Sequence, residues 1–478
     1  MINTWLDRIA NGQHQHPILM LMPFILFGIF MLIALQAKPT TRKELARIAN
    51  GRAAKNKKQL SEKQINKALS KIQSSATDCG TILGVNQQTG KPVVFRDEDA
   101  NLHTLAVGTT GSGKTTVLAN FVESAIVRRW PLFYVDGKGD LAFAKRIEQF
   151  AKSQGVPFYL FSMVGDSAKY NPISFGGFTS KKDRIIELRE WSEDHYRKIA
   201  EGYLQTVFFV LERANIFVNL CTLSEYLEPD ALFQLARDLK DKKLTDRITS
   251  LENKRKDIES LIAEIQNIAH SEIGHLFDCS DGNVITLEKI LQEKAIVYFC
   301  LQPLAFPAYA STLGKLVIND LKSLIASQLK QQTKTNMFTI FDEFSVFAGD
   351  QVINLINQGR GAGVHAILAT QSLSDIEIKG GKALLGQVLN NCNNYIIQRQ
   401  NFPADAEMLA NIIGTKNEFV ITSQIAPKGS TGAGSVRETK EFIIHPDKIK
   451  RLARGEAIIV NKQIFLEYDV IVRRSSFS

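Results

Sequence analysis

"HTLAVGTTGSGKTT", His103 to Thr116, decides the fold. Its first half is a short apolar run. Its second half, Gly108 to Thr116, fits G-x-x-x-x-G-K-T and opens the helix-periodic stretch Lys114 to Arg129. Strand, glycine-rich loop and helix, in that order, form the context a phosphate-binding loop requires. Gly108, Gly111 and Gly113 let the backbone curl so that successive N–H groups surround a phosphate. The new helix adds its positive end. Lys114 then reaches the β- and γ-phosphates, and the Thr115 hydroxyl is placed for Mg²⁺. The expected nucleotide-binding residues are Gly108, Thr109, Thr110, Gly111, Ser112, Gly113, Lys114, Thr115 and Thr116, with ATP and Mg²⁺ as cofactors.

Outward from this loop, short apolar runs alternate with longer amphipathic ones. "PLFYVDG" (131–137), "AIVYFCLQ" (295–302), "MFTIFDE" (337–343), "VHAILAT" (364–370) and "NYIIQR" (394–399) read as buried strands. Tyr309 to Gln331 and Leu373 to Leu389 read as helices. Such alternation argues for an α/β fold with a mostly parallel sheet covered on both faces. From about Asp183 to His270 no strand pattern occurs. Ile248, Leu251, Ile258, Leu261, Ile262, Ile265 and Ala269 fall on one helical face. The α/β domain is therefore expected over 78–182 and 283–478, with an all-α domain inserted at 183–282. "APKGSTGAGS" (426–435) reads as a flexible loop between two strands.

"MFTIFDEF" drives four apolar residues into the sheet and ends in Asp342 and Glu343 at its C-terminal edge. Asp342 is expected to hold the Mg²⁺ water shell and Glu343 to polarise the attacking water. The strand after an Asp-Glu strand commonly lies beside the phosphate-loop strand. The end of "VHAILAT" then faces the γ-phosphate, and Gln371 there is a candidate sensor. Arg360 precedes that strand and lies at the opposite end of the sheet. It cannot easily reach its own nucleotide, which leaves an arginine finger acting on a neighbouring subunit's, or a surface salt bridge. "YVDGKGD" (134–140) reads equally as a nucleotide- or DNA-lining loop through Asp136 and Lys138, or as a glycine-rich turn with capping acids.

The chain has 478 residues and a formal net charge of +9. Lys38 to Lys71 holds eleven bases against Glu44 and Glu62, leaving the remainder balanced. The basic pI thus describes one arm rather than the whole surface. Before that arm, Pro17 to Ala37 carries no charge and is long enough to cross a bilayer. The competing reading is a cleaved signal peptide, disfavoured by the length of the run and the weakly basic leader. The expected layout is a short segment at 1–16, one transmembrane helix at 17–37 and a basic arm at 38–77. The bases beyond the span place the C-terminal portion in the cytoplasm, with the arm beside anionic membrane lipids or simply solvated. Five scattered cysteines form neither a zinc pattern nor a disulfide framework.

The order "GTTGSGKTT", "VDGKGD", "YNPI" (170–173), "IFDEF", "GRGAGVHAILATQS" resembles the TraD/TraG-type coupling proteins of bacterial conjugation and type IV secretion, relatives of FtsK and HerA motors. The resemblance runs from about Leu102 onward. It implies an inner-membrane homo-hexamer with a RecA-like P-loop NTPase domain and an all-α domain near the channel mouth. It also implies ATP-driven transfer of a DNA–relaxase substrate into a secretion channel, with relaxosome and channel proteins as partners. Residues matching Lys114, Thr115, Asp342, Glu343, Arg360 and Gln371 would serve binding, hydrolysis, the finger and the sensor. The sequence shows one membrane crossing where many relatives carry two. It stops soon after the last strand, in "EYDVIVRRSSFS", so no long acidic tail for accessory proteins is expected and substrate choice is expected to rest on the helical insert or on the ring. The other function class that fits is a docking receptor for secreted proteins, in which ATP serves assembly. A soluble small-molecule kinase leaves the anchor unexplained.

Overall fold

The computed structural model describes residues 59–478 apart from 101, 190, 192, 253–254, 281–282, 427–428 and 465. The segment 1–16, the apolar stretch 17–37 and the arm as far as 58 lie outside the described residues. Among those described, no helix is long and apolar enough to cross a membrane.

The core is a 12-stranded sheet. Its parallel half runs in the order Asn394–Ile397, Thr104–Val107, Val364–Thr370, Met337–Asp342, Leu132–Asp136, Ile296–Cys300, Phe158–Ser162. These strands are unbroken apolar runs because both faces are covered. Leu105, Val107, Phe133, Val135, Phe341 and Leu368 enter one core layer. Their alternating neighbours Ala106, Leu132, Tyr134, Ile340, Ile367 and Ala369 enter the other. Helices Lys114–Arg128 and Leu141–Ser153 cover the second face. Helices Pro307–Lys330 and Asp350–Ala362 pack on the first.

Beyond Asn394–Ile397 the sheet turns antiparallel through Glu456–Asn461, Leu466–Val472 and Gly80–Asn86. The mostly parallel expectation thus describes one half. The antiparallel wing pairs strands almost 400 residues apart, and Gly80–Asn86 carries a register shift between Ile82 and Gly84. Neither feature leaves a local periodic signal.

Six helices, Phe178–Ile186, Asp194–Arg213, Leu220–Tyr226, Pro229–Asp238, Lys242–Glu252 and Arg255–Ala269, fill the middle of the chain. They share an apolar core with the first face of the sheet. The joint is polar at its centre. Arg184, 1% exposed, pairs with the fully buried Asp320 at 3.0 Å. It also donates to Pro172 O at 2.7 Å and to Ser323 Oγ at 2.9 Å. Tyr170 OH takes the second Asp320 oxygen at 2.9 Å, and Asn171 Nδ2 reaches Val218 O at 2.9 Å. The "YNPI" stretch is thus the clasp between helical block and sheet.

Two expectations change. The proposed loop 426–435 is largely strand: Thr415–Ala426 and Gly429–Phe442 pair as a two-stranded sheet. Ladder pairing uses only backbone N–H and C=O, which Gly and Ser supply as well as other residues. Residues 417–440 belong to a compact unit separate from 59–416 and 441–478. The helix expected at Leu373–Leu389 extends to Asn391 but is interrupted at Gly381, whose φ of 73° and ψ of 179° are not helical.

Candidate active site

The parallel register decides which side chains meet. Val107 pairs with Thr370, and Leu368 with Phe341, so three strand ends finish side by side. From the first springs the phosphate loop. Gly108 N donates to Thr370 O at 3.2 Å and Thr109 N to Arg399 O at 3.0 Å, anchoring its base to both flanking strands. A Cβ on Gly108 would meet Ser112 Oγ at 2.5 Å, so only glycine fits this coil. Gly111 and Gly113 have φ of 78° and 110°, a region side chains disfavour.

Four polar side chains close over the loop as one chain of contacts. Lys114 Nζ donates to Glu343 Oε1 at 3.0 Å, with the two side chains only 10% and 12% exposed. Gln371 Nε2 donates to the same oxygen at 3.1 Å, and Thr110 Oγ1 donates to Gln371 Oε1 at 3.0 Å. The structure therefore brings together Lys114, Glu343, Gln371 and Thr110. Glu343 sits in the left-handed region, φ 51° and ψ 51°, a conformation costly for a side-chain-bearing residue. Its N–H donates to Asp342 Oδ1 at 3.0 Å, and Tyr134 OH donates to Asp342 Oδ2 at 3.0 Å. Burial, with Asp136 alongside, pushes the Asp342 carboxyl up to about 6.

"YVDGKGD" supports this turn. Asp136 accepts from Lys138 N at 2.8 Å, Asp140 N at 2.6 Å and Tyr298 OH at 2.8 Å, while Asp140 caps the following helix through Phe143 N. Gly137 N donates to Asp342 O at 2.9 Å, and a Cβ there would stand 2.9 Å from Glu343 O. Of the two readings, Asp136 has the structural one: it braces a glycine turn on which the Asp-Glu turn rests. Lys138 is exposed.

Arg360 lies in the last turn of helix Asp350–Ala362, beside His103 at the N-terminal end of the sheet. The strand Val364–Thr370 separates it from Gln371, roughly 20 Å at strand rise. Its side chain is exposed and has no hydrogen-bond or ion-pair partner among the described residues, so the surface salt bridge is not seen there.

Several supporting residues escape sequence reasoning. Gln398 Nε2 donates to Ser112 O at 3.2 Å and Gly455 N to the same oxygen at 3.0 Å, holding the loop from beneath. Asp405 caps helix Leu373–Asn391 through Leu373 N at 3.0 Å and Ser374 Oγ at 2.9 Å, fixing the turn that carries Gln371. The signal available was the polar alternation Gln398, Gln400 directly after an apolar strand.

The residues suit a magnesium–nucleotide. The coil leaves no room for a Cβ at Gly108, and the buried Thr109 Oγ1 has no hydrogen-bond partner. No cluster of three or more His, Cys, Asp or Glu occurs among the described residues. Mg²⁺ needs none, since it is held by one or two protein oxygens plus phosphates and water.

Phosphate-loop strand, sensor strand and Asp-Glu strand as consecutive neighbours make this a RecA-like P-loop NTPase fold. Two family models match: the TraM recognition site of TraD and TraG over 336–454, and the FtsK/SpoIIIE family over 68–149. Among curated proteins, the type 4 coupling protein DotL of Legionella pneumophila is 22% identical over 397 residues. That match takes in 68% of this chain and 50% of DotL, so the chain spans about half the length of that relative. Among solved structures, the bacterial conjugative coupling protein TrwBdeltaN70 has a TM-score of 0.58 at 14% identity, covering 87% of this chain and 92% of that one. TrwB in complex with ADP and Mg²⁺ also has a TM-score of 0.58, at 13% identity, covering 88% and 94%. In sequence and fold the chain is thus similar to type IV coupling proteins.

Proposed function

We propose that this chain is a type IV coupling protein that binds ATP with Mg²⁺ in the Gly108–Thr116 loop and hydrolyses it to drive a DNA–relaxase substrate into a type IV secretion channel. One observation carries the reading: Glu343 Oε1 is held jointly by Lys114 and Gln371 at the mouth of the loop. A γ-phosphate arriving there competes for the Lys114 ammonium. Glu343 is then released from its ion pair, still oriented by Gln371, to accept a proton from the attacking water. Thr115 and Asp342 are the oxygens suited to the metal and its water shell. ATP and Mg²⁺ supply the bond to be cleaved and the charge neutralisation; the chain supplies alignment and the base.

We infer further that the working form is a homo-hexamer at the bacterial inner membrane, tethered by 17–37, with the basic arm against anionic lipids and the motor in the cytoplasm. The exposed Arg360, unpaired among the described residues and about a strand's length from its own loop, supports a finger role on a neighbour's nucleotide. The deciding experiment is ATPase rate against protein concentration, with and without single- and double-stranded DNA. A rate that climbs with concentration and with DNA, and fades with salt, is expected. A DNA-independent rate favours the docking-receptor reading, as does transfer that survives Lys114→Ala.

A further inference from the structure

The turn that carries Arg360 is made of poor helix formers. Helix Asp350–Ala362 ends in Gly359, Arg360, Gly361 and Ala362, and Gly363 closes it at a φ of 90°. Glycine is the costliest residue after proline in a helix interior, so this turn holds its shape weakly on its own. Packing explains the choice at Gly359, where a Cβ would stand 3.1 Å from Val364 Cβ. An exposed guanidinium on such a turn is aimed only if something fixes the backbone beneath it.

His103 does so. It is 4% exposed and directly precedes Thr104–Val107, the strand from which the phosphate loop springs. Its Nε2 lies 2.6 Å from Ile356 O. Ile356 is four residues before Arg360, so its carbonyl is the one an α-helix offers to the Arg360 N–H. A carbonyl oxygen has two lone pairs and can serve both donors. His103 Nδ1 accepts from Ala366 N at 3.2 Å, on the strand that leads to Gln371. The neutral ring has one donor and one acceptor, and both are used. The residue is also held in the left-handed region at a φ of 58°, with its carbonyl accepting from Asn394 Nδ2 at 3.2 Å. That backbone is costly for a side-chain-bearing residue and persists where the surroundings impose it.

We infer that His103 is a positioning residue for Arg360. The base of each subunit's own phosphate-loop strand sets the direction in which its guanidinium meets the neighbouring subunit. The inference rests on the finger role proposed above and names what aims it.

Two substitutions separate the ring's bonds. Asparagine places an amide where Nδ1 stands, glutamine where Nε2 stands. On the full chain with ATP and Mg²⁺, His103→Asn should slow assembled rings by about ten- to hundredfold. Dilute hydrolysis and nucleotide affinity should stay within about twofold. Hydrogen exchange should quicken at 360–363 and not at 104–107. His103→Gln should hold the assembled rate within about twofold. In an Arg360→Ala background, His103→Asn should cost nothing further. Adding Gly361→Ala stiffens the turn from the helix side, its Cβ meeting only the half-exposed Leu329 at 3.1 Å, and should restore much of the loss. An unchanged assembled rate in His103→Asn, a loss shared by dilute protein, or a loss repeated in full without the Arg360 guanidinium overturns the inference. So does any comparable loss in His103→Gln, which decides the matter alone should the asparagine variant fail to fold. If Arg360→Ala itself leaves assembled rings at full rate, the finger reading falls first, and the inference with it.

Discussion

Lys114 Nζ stands 3.0 Å from Glu343 Oε1, and this ion pair spans the mouth of the phosphate loop. In the proposed mechanism the two residues have opposite duties toward a nucleotide: Lys114 binds phosphate, and Glu343 is the base that must be freed from it. Lys114→Ala should abolish both nucleotide binding and hydrolysis. Glu343→Gln should keep binding, since the amide no longer competes as an anion for the ammonium, while turnover falls by about 10²–10⁴-fold. Fluorescent-nucleotide titration beside steady-state ATPase separates the two, and equal loss of binding in both variants would count against the base assignment.

The finger role proposed for Arg360 requires a neighbouring subunit. Arg360→Ala should leave the slow hydrolysis of dilute protein untouched. At concentrations where rings assemble it should lower the rate by about 10³–10⁵-fold, the range reported for arginine fingers. Sedimentation run alongside the assay shows whether assembly itself has survived. Equal loss in dilute and assembled protein would refute action in trans.

The Arg184–Asp320 clasp predicts an asymmetric mutational response. Asp320→Ala leaves a buried guanidinium without its partner and should cost about 3–5 kcal/mol in denaturant unfolding. Replacing both residues with apolar side chains of similar volume, Arg184→Met with Asp320→Leu, should recover most of that loss. Recovery would show that pairing, rather than charge itself, is what the joint requires.

Two buried histidines make stability fall on acidification. His103 Nε2 lies 2.6 Å from Ile356 O and its Nδ1 accepts from Ala366 N at 3.2 Å, so the neutral ring bonded through Nε2–H fits the site. Burial lowers His103 to about 4. Burial, with Arg128 nearby, lowers His365 to about 3; its ring packs against Trp130 and Phe338 and neither nitrogen has a hydrogen-bond partner. Both values lie below the unfolded value near 6.5, so the unfolded chain binds more protons in that window. Stability is full above about pH 6.5 and declines toward pH 4, by up to about 1.4 kcal/mol per pH unit for each ring. His365→Phe should flatten the urea-midpoint profile over this range without changing it much at pH 8.

What the sequence made legible was local. "VHAILAT" is buried at every position and its expected limits are the observed ones, because a strand covered on both faces writes an unbroken apolar run. The phosphate loop and Asp342–Glu343 were readable because each motif carries its chemistry within a few residues. Gln398, Gly455 and Asp405 were not, since each supports the site from a strand or helix distant in sequence. The antiparallel wing was hidden for the same reason. "VDGKGD" stayed ambiguous until Gly137 was seen pressed against the Glu343 carbonyl, a relation between neighbouring strands that no spacing rule encodes.

The clasp at Arg184 has a mechanical consequence. Tyr170, Arg184 and Asp320 rivet the helical block to the long helix behind the sheet through buried, paired groups. A seam held this way resists sliding, since shear would strand a buried guanidinium and carboxylate without partners.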